Sequence, residues 1–135
     1  MALSQSLRNR AVVIEKYVTL GGTSGTTEGV SVPAGTLVLA AGFEPSEAVA
    51  DVTTYTMDIT DGTTTFANDL DFDDTAAGTI KLGTTAGLVS AADTVDVVTT
   101  ISGTPGTVEG RVFIVAIDVN ECVKEADEAA RDALA

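Results

Sequence analysis

The chain has 135 residues and a mass of 13.7 kDa, which suits one domain with a single core. Hydrophobic residues make up 44% of it against 20% charged, and the mean hydropathy of +0.28 excludes a disordered acidic tail. The formal net charge of −13 repels phosphate backbones, and no apolar run reaches the roughly 20 residues that span a bilayer, so neither nucleic acid nor a membrane is expected as a partner.

Along the chain the basic residues are uneven. Arg8, Arg10 and Lys16 lie near the start, and between Tyr17 and Gly110 the only base is Lys81. The opening "MALSQSLRNRAVVIEKYV" has no secretory core followed by a small-residue cleavage site. Residues 1–16 thus read as an electropositive N-terminal arm on an acidic body, against the equally plain reading of a solvated start to the first strand. A single Cys excludes an intrachain disulfide framework and fits synthesis in a reducing cytoplasm.

From there the apolar residues are mainly Val, Ala, Leu and Ile with abundant Thr, a β-branched bias that favours strands. "AVVIEKYVTL" (11–20) predicts a first strand and "GGTSGTTEG" a flexible loop. "VSVPAGTLVLAAGF" predicts a short strand, a turn at Pro33 to Gly35 and a buried strand from Thr36 to Ala41. In "VADVTTYTMDIT" the residues Val52, Tyr55, Met57 and Ile59 share a face after a register shift near Thr53 and Thr54, which predicts a bulge. Asp61-Gly62 predicts a hairpin with a type I′ turn, because that dipeptide tolerates positive φ at both central positions.

"TTTFA" is the expected returning strand, and "NDLDFDD" places Leu70 and Phe72 on one face with Asp69, Asp71 and Asp73 on the other. "TAAGTIKLGTTAGLVS" reads as loop with one short strand near Thr79 to Leu82. "DTVDVVTTIS" and "GRVFIVAIDV" are the clearest strands and predict an antiparallel pair near the core, with Phe113 its only aromatic. After Asn120 the spacing of Cys122, Val123, Ala126, Ala130 and Leu134 becomes helical, with Asn120 as N-cap and Asp127–Arg131 as an i,i+4 pair. The expected fold is therefore all-β: an antiparallel, jelly-roll-like β-sandwich of about seven to eight strands over residues 17–119, followed by a short C-terminal α-helix over 120–135.

Catalytic chemistry finds few candidates. The chain has no His, which removes the commonest general base and transition-metal ligand together. Cys122 lacks a His partner and has acidic neighbours, so packing is favoured over nucleophilic chemistry. No P-loop, G-x-G-x-x-G or G-x-S-x-G motif is present. Asp69, Asp71 and Asp73 match the first three positions of a calcium loop, but Asp74 replaces its obligatory Gly and Ile80 its bidentate Glu. Turn-making and the wet side of a strand explain the same carboxylates, with calcium as the competing reading. No cofactor is expected.

The order of "VPAGTLVLAAGFE", "YTMDITDGTTTFANDL" and "SAADTVDVVTTISGTPGTVEGRVFIVAIDV" resembles small structural proteins of tailed bacteriophages, most closely head decoration (cement) proteins with a jelly-roll-like sandwich. The resemblance spans roughly residues 17–119 and rests on strand-and-turn pattern, not on a catalytic signature. It implies a non-enzymatic protein, commonly a homotrimer, on the outside of a virion shell. There it would bind the major capsid protein and clamp neighbouring subunits, with Leu3, Leu7, Arg8, Arg10 and Lys16 as interface residues. Other readings are a tail, neck or fibre component with the same sandwich, a carbohydrate-binding adhesin module, for whose aromatic platform only Tyr17 and a Tyr55 expected to be buried are available, and, last, a calcium-assisted hydrolase.

Overall fold

The computed structural model describes residues 11–118, which form nine β-strands. They are β1 (Val12–Leu20), β2 (Gly25–Val32), β3 (Thr36–Pro45), β4 (Val52–Thr60), β5 (Thr65–Asp71), β6 (Lys81–Gly83), β7 (Gly87–Val89), β8 (Asp93–Gly103) and β9 (Val108–Asp118). All pairings are antiparallel, in two sheets. The large sheet runs β1-β9-β3-β6, with β7 also on β3, and the small sheet runs β2-β8-β4-β5.

Because β9 occupies one edge of β3 along its whole length, β6 and β7 share the other edge. They are one edge strand broken in the middle, where Thr85 N–H leaves the ladder and donates to the Phe66 carbonyl at 3.2 Å. Taken as one strand they leave eight positions, four in each sheet, in the order of a jelly roll. The expected sandwich is thus present, with β6 near the short strand read at Thr79–Leu82 and β7 as a further element in the segment read as loop. The domain start expected at residue 17 falls inside β1. The C-terminal helix lies outside the described residues.

The core lies between the sheets and follows from period-2 alternation. Tyr55, Met57 and Ile59 on β4 and Val95 and Val97 on β8 face Val38, Ala41 and Phe43 on β3 and Val112, Ile114 and Ala116 on β9. Phe43 and Phe72 meet edge to face, with ring centroids 5.6 Å apart and planes at 89°, a geometry that satisfies the ring quadrupoles. The bulge expected near Thr53 is present, as a register shift between Val52 and Thr54 against β8.

Three local expectations are corrected. The strands β8 and β9 do not pair with each other: β8 lies between β2 and β4 and β9 between β1 and β3, so residues 104–107 cross between sheets. Both strands are long and apolar on their inner faces, and each completes a different layer. The segment "GGTSGTTEG" is strand from Gly25 onward, because Thr26 and Thr27 pair with Val98 and Val97 before a register shift near Val30. The β4–β5 hairpin forms, but only Gly62 of the Asp61-Gly62 pair has positive φ, at 91°. Positive φ at the first central residue alone is the type II′ signature, so the turn centres on Gly62-Thr63. The Asp61 side chain draws it there by accepting from the N–H groups of Thr63 and Thr64 at 2.9 and 2.7 Å.

Candidate interaction surface

The acidic stretch is distributed by the backbone. β5 breaks strand alternation twice. The first break is at Phe66, where Phe66 and Ala67 are both buried between the pairs Thr60–Thr65 and Ile59–Ala67, and the second is a bulge at Asn68–Asp69 between the pairs Ile59–Ala67 and Met57–Leu70. Asp69 takes positive φ, 51°, and its N–H donates to the Asp58 carboxylate at 2.7 Å. β5 then ends at Asp71, whose Oδ1 accepts from Asp73 N–H at 2.9 Å in a local turn. Asp73 is therefore not on the outer face of a strand: its Oδ1 accepts the N–H of Tyr55, and Lys81 Nζ donates to the Asp71 carbonyl. The carboxylates of Asp58, Asp61, Asp71 and Asp73 each hold a main-chain donor. Among the described residues no three carboxylates or other ligand types gather into a group able to hold a metal ion.

Of the arm residues, Lys16 lies on β1, exposed and opposite Val112. Leu3, Leu7, Arg8 and Arg10 lie outside the described residues, as does Cys122. Of the two tyrosines, Tyr55 is fully buried and Tyr17 is 55% exposed, its hydroxyl within 2.9 Å of Ser46 Oγ and 3.1 Å of Glu109 Oε2. An aromatic platform for a sugar therefore has at most one member among the described tyrosines.

The two outer sheet faces differ in kind. On the small sheet the outward residues of β4 and β8 are Thr54, Thr56, Asp58, Thr60, Thr94, Asp96 and Thr100 with Val98 among them, a wet face. On the large sheet the outward residues form cross-strand rows that are mostly apolar. One row is Ile117–Leu37–Leu88, the next Val13–Val115–Ala40, the next Glu15–Phe113–Gly42–Leu82. Val13, Leu82, Leu88 and Ile80 are at least half exposed, at 64%, 50%, 51% and 55%. A groove of about 230 Å³ runs over Val13, Val115, Phe113 and Ile80. Phe113 thus lies on the outside and half buried, not in the core as its strand's apolar run predicts.

One charged cluster closes the groove at its far end. Arg111 on β9 donates from Nη2 to both Glu44 carboxylate oxygens at 3.2 Å, and its Nη1 lies 3.5 Å from Glu15 Oε2. The hydrogen bond and charge of Glu44, helped by Glu15, push the guanidinium pKa up, so Arg111 stays cationic at any pH at which the fold survives. The cluster staples β1, β9 and β3 side by side. Solvent reaches it, so its role is alignment more than stability.

This face escapes a reading by period alone, although its signal is present in the sequence. In "RVFIVAI" the residues Val112, Ile114 and Ala116 point inward while Phe113, Val115 and Ile117 point outward. An unbroken apolar run marks a strand covered on both sides, whereas one open side produces alternation. β4, with Thr and Asp outward, shows that alternation.

No protein-family model matches the chain, and no curated protein matches it in sequence. Solved structures do share its fold. A chain of the cyanophage Pam1 capsid asymmetric unit superposes with a TM-score of 0.62 at 19% identity, covering 80% of this chain and 84% of that one. A chain of the acidic stable capsid structure of Helicobacter pylori bacteriophage KHP30 gives 0.55 at 17% identity, covering 78% and 87%. The coverage extends to most of each molecule, so the likeness is one of whole domains.

Proposed function

We propose that this chain is a non-enzymatic structural protein of a bacteriophage virion, a decoration (cement) subunit seated on the outside of the head. It binds the major capsid protein, self-associates as a homotrimer and clamps neighbouring shell subunits. The observation that carries the reading is the shared whole-domain fold with chains from two phage capsids. Two features support it. In the acidic stretch the carboxylates of Asp58, Asp61, Asp71 and Asp73 each hold a main-chain donor. The net charge of −13 keeps a densely coated particle soluble. Many weak contacts repeated over a shell add up without any one being strong.

Within this reading the N-terminal segment, with Leu3, Leu7, Arg8, Arg10 and the exposed Lys16, reaches the neighbouring capsid subunit. Its positive charge suits a contact made across an otherwise acidic body. Mixing the purified protein with undecorated capsids and sedimenting the particles tests the reading. Saturable co-sedimentation that is lost when residues 1–10 are removed is the expected result. Absence of saturable binding to intact capsids overturns the decoration role, and density at a tail or neck would move the protein there.

A further inference from the structure

We propose that the apolar outer face of the large sheet is the seat of this chain's own C-terminal segment, residues 119–135, turned back from the end of β9. The inference stands apart from the decoration role, since it concerns how one subunit completes its own fold. Three observations carry it: the composition of the face, the point at which the chain leaves it, and the length and pattern of residues 119–135.

The face is built for cover. Its two central strands, β3 and β9, are apolar on both sides, through Leu37 and Ala40 on one and Phe113, Val115 and Ile117 on the other. A sheet with one wet face needs no such residues, and the small sheet of this molecule has Thr and Asp in the equivalent places. An apolar patch of this continuity marks a contact surface.

The described chain ends at its border. Asp118 is the last residue of β9 and pairs with Thr36, one residue beyond the row Ile117–Leu37–Leu88. A segment reversing direction after Asp118 meets that row first, then the Val115 row, then the Phe113 row. Rows lie about 7 Å apart along the strands, so the distance from the Ile117 row to the Arg111 cluster is about 20 Å. Residues 120–135, wound as the helix their spacing predicts, would measure about 24 Å. The occupant fits the groove lengthwise.

Its pattern fits as well. At 3.6 residues per turn, Cys122, Val123, Ala126, Ala130 and Leu134 share one side, while Lys124, Glu128, Arg131 and Asp132 lie opposite. Small residues allow close approach to a sheet that already carries Phe113. Glu121, Glu125, Glu128 and Asp132 would stay on its wet side, and Asp127, at the border of the apolar side, would form the i,i+4 pair with Arg131.

A nitroxide on the wet side of the segment reads the contact directly. In the full-length chain carrying Cys122→Ala and Glu128→Cys, the label is expected to broaden the amide signals of Leu37, Leu88, Phe113 and Val115. The signals of Thr56 and Thr100 on the small sheet should keep their intensity. Adding Val115→Asp, an outward position that leaves the inner core intact, should restore the broadened signals. Uniform absence of broadening on the large sheet, or broadening that survives Val115→Asp, overturns the proposal. So does broadening that arises only between spin-labelled and isotope-labelled copies when the two are mixed, since the face then seats a second copy's segment.

Discussion

The ring of Phe113 on β9 occupies the space in which a side chain on Gly42 of β3 would stand. A Cβ built on Gly42 would come 2.5 Å from Phe113 Cζ, 2.6 Å from the Lys81 carbonyl oxygen and 2.9 Å from Leu82 Cβ. The ring could turn away, but the carbonyl belongs to the β6 ladder and cannot. Gly42→Ala is therefore expected to cost about 1–3 kcal/mol, the range for overpacking a fitted site. Adding Phe113→Leu should recover only the part due to the ring. Urea unfolding of the single and double variants checks this, and full recovery in the double variant would show that the carbonyl contact yields.

Asp73 completes the edge of β4 beyond the end of β5. Tyr55 carbonyl accepts from Phe72 N–H at 2.8 Å, and Tyr55 N–H is held by Asp73 Oδ1, so one loop supplies both partners of a ladder that the strand no longer reaches. Hydrogen bonds to a charged group contribute about 1.5–3 kcal/mol. Asp73→Ala should lose stability on that order, while Asp73→Asn keeps an oxygen acceptor in place and should lose clearly less. Equal stability of Asp73→Ala and the unaltered chain, by denaturant titration, would remove the role.

Long alternating segments are legible in the sequence, and the places where one side chain redirects the backbone are not. Tyr55, Met57 and Ile59 announce their shared face through period 2, and β4 forms where expected. The Asp61-Gly62 hairpin is legible as a hairpin, but its centre shifts because Asp61 accepts from two amides downstream, a competition that propensity does not resolve. Asp69, Asp71 and Asp73 look equivalent in the sequence and diverge in the fold, since Asp69 sits in the bulge at Asn68–Asp69, β5 ends at Asp71 and Asp73 lies in the turn beyond it. The partners of β8 and β9 are hidden for a different reason. Adjacent strands joined by a short turn usually pair, and here the jelly-roll order places them in separate sheets.

The same dispersal predicts indifference to calcium. Asp71 and Asp73 accept from Asp73 N–H and Tyr55 N–H, and Asp69 is turned by its positive φ toward Asn68, whose Nδ2 is 3.2 Å from its Oδ2. Binding an ion there would require these carboxylates to leave their donors and converge. A ligand that binds the folded state raises its stability by RT ln(1 + [L]/Kd). Thermal unfolding midpoints in millimolar calcium and in EDTA are expected to coincide. A rise with calcium that disappears in Asp71→Asn would establish a site.

Tyr55 supplies a pH dependence with a definite sign. It is fully buried on β4, and among the described residues its hydroxyl is the buried side-chain polar atom without a hydrogen-bond partner. Burial pushes its pKa from 10.0 up to about 12. Below pH 10 the phenol is neutral in both the folded and the unfolded chain, and stability does not depend on it. Between about pH 10 and pH 12 the unfolded chain releases this proton and the folded chain retains it, so stability falls as pH rises, by about 1.4 kcal/mol per unit. Tyr55→Phe should remove that part of the alkaline slope. At neutral pH it should leave the protein as stable or more stable by about 1 kcal/mol, because an unpaired buried hydroxyl is lost with little change of shape. Urea titrations at pH 7, 10 and 11 measure both effects, and a marked loss of stability in Tyr55→Phe at pH 7 would mean that the hydroxyl has a partner after all.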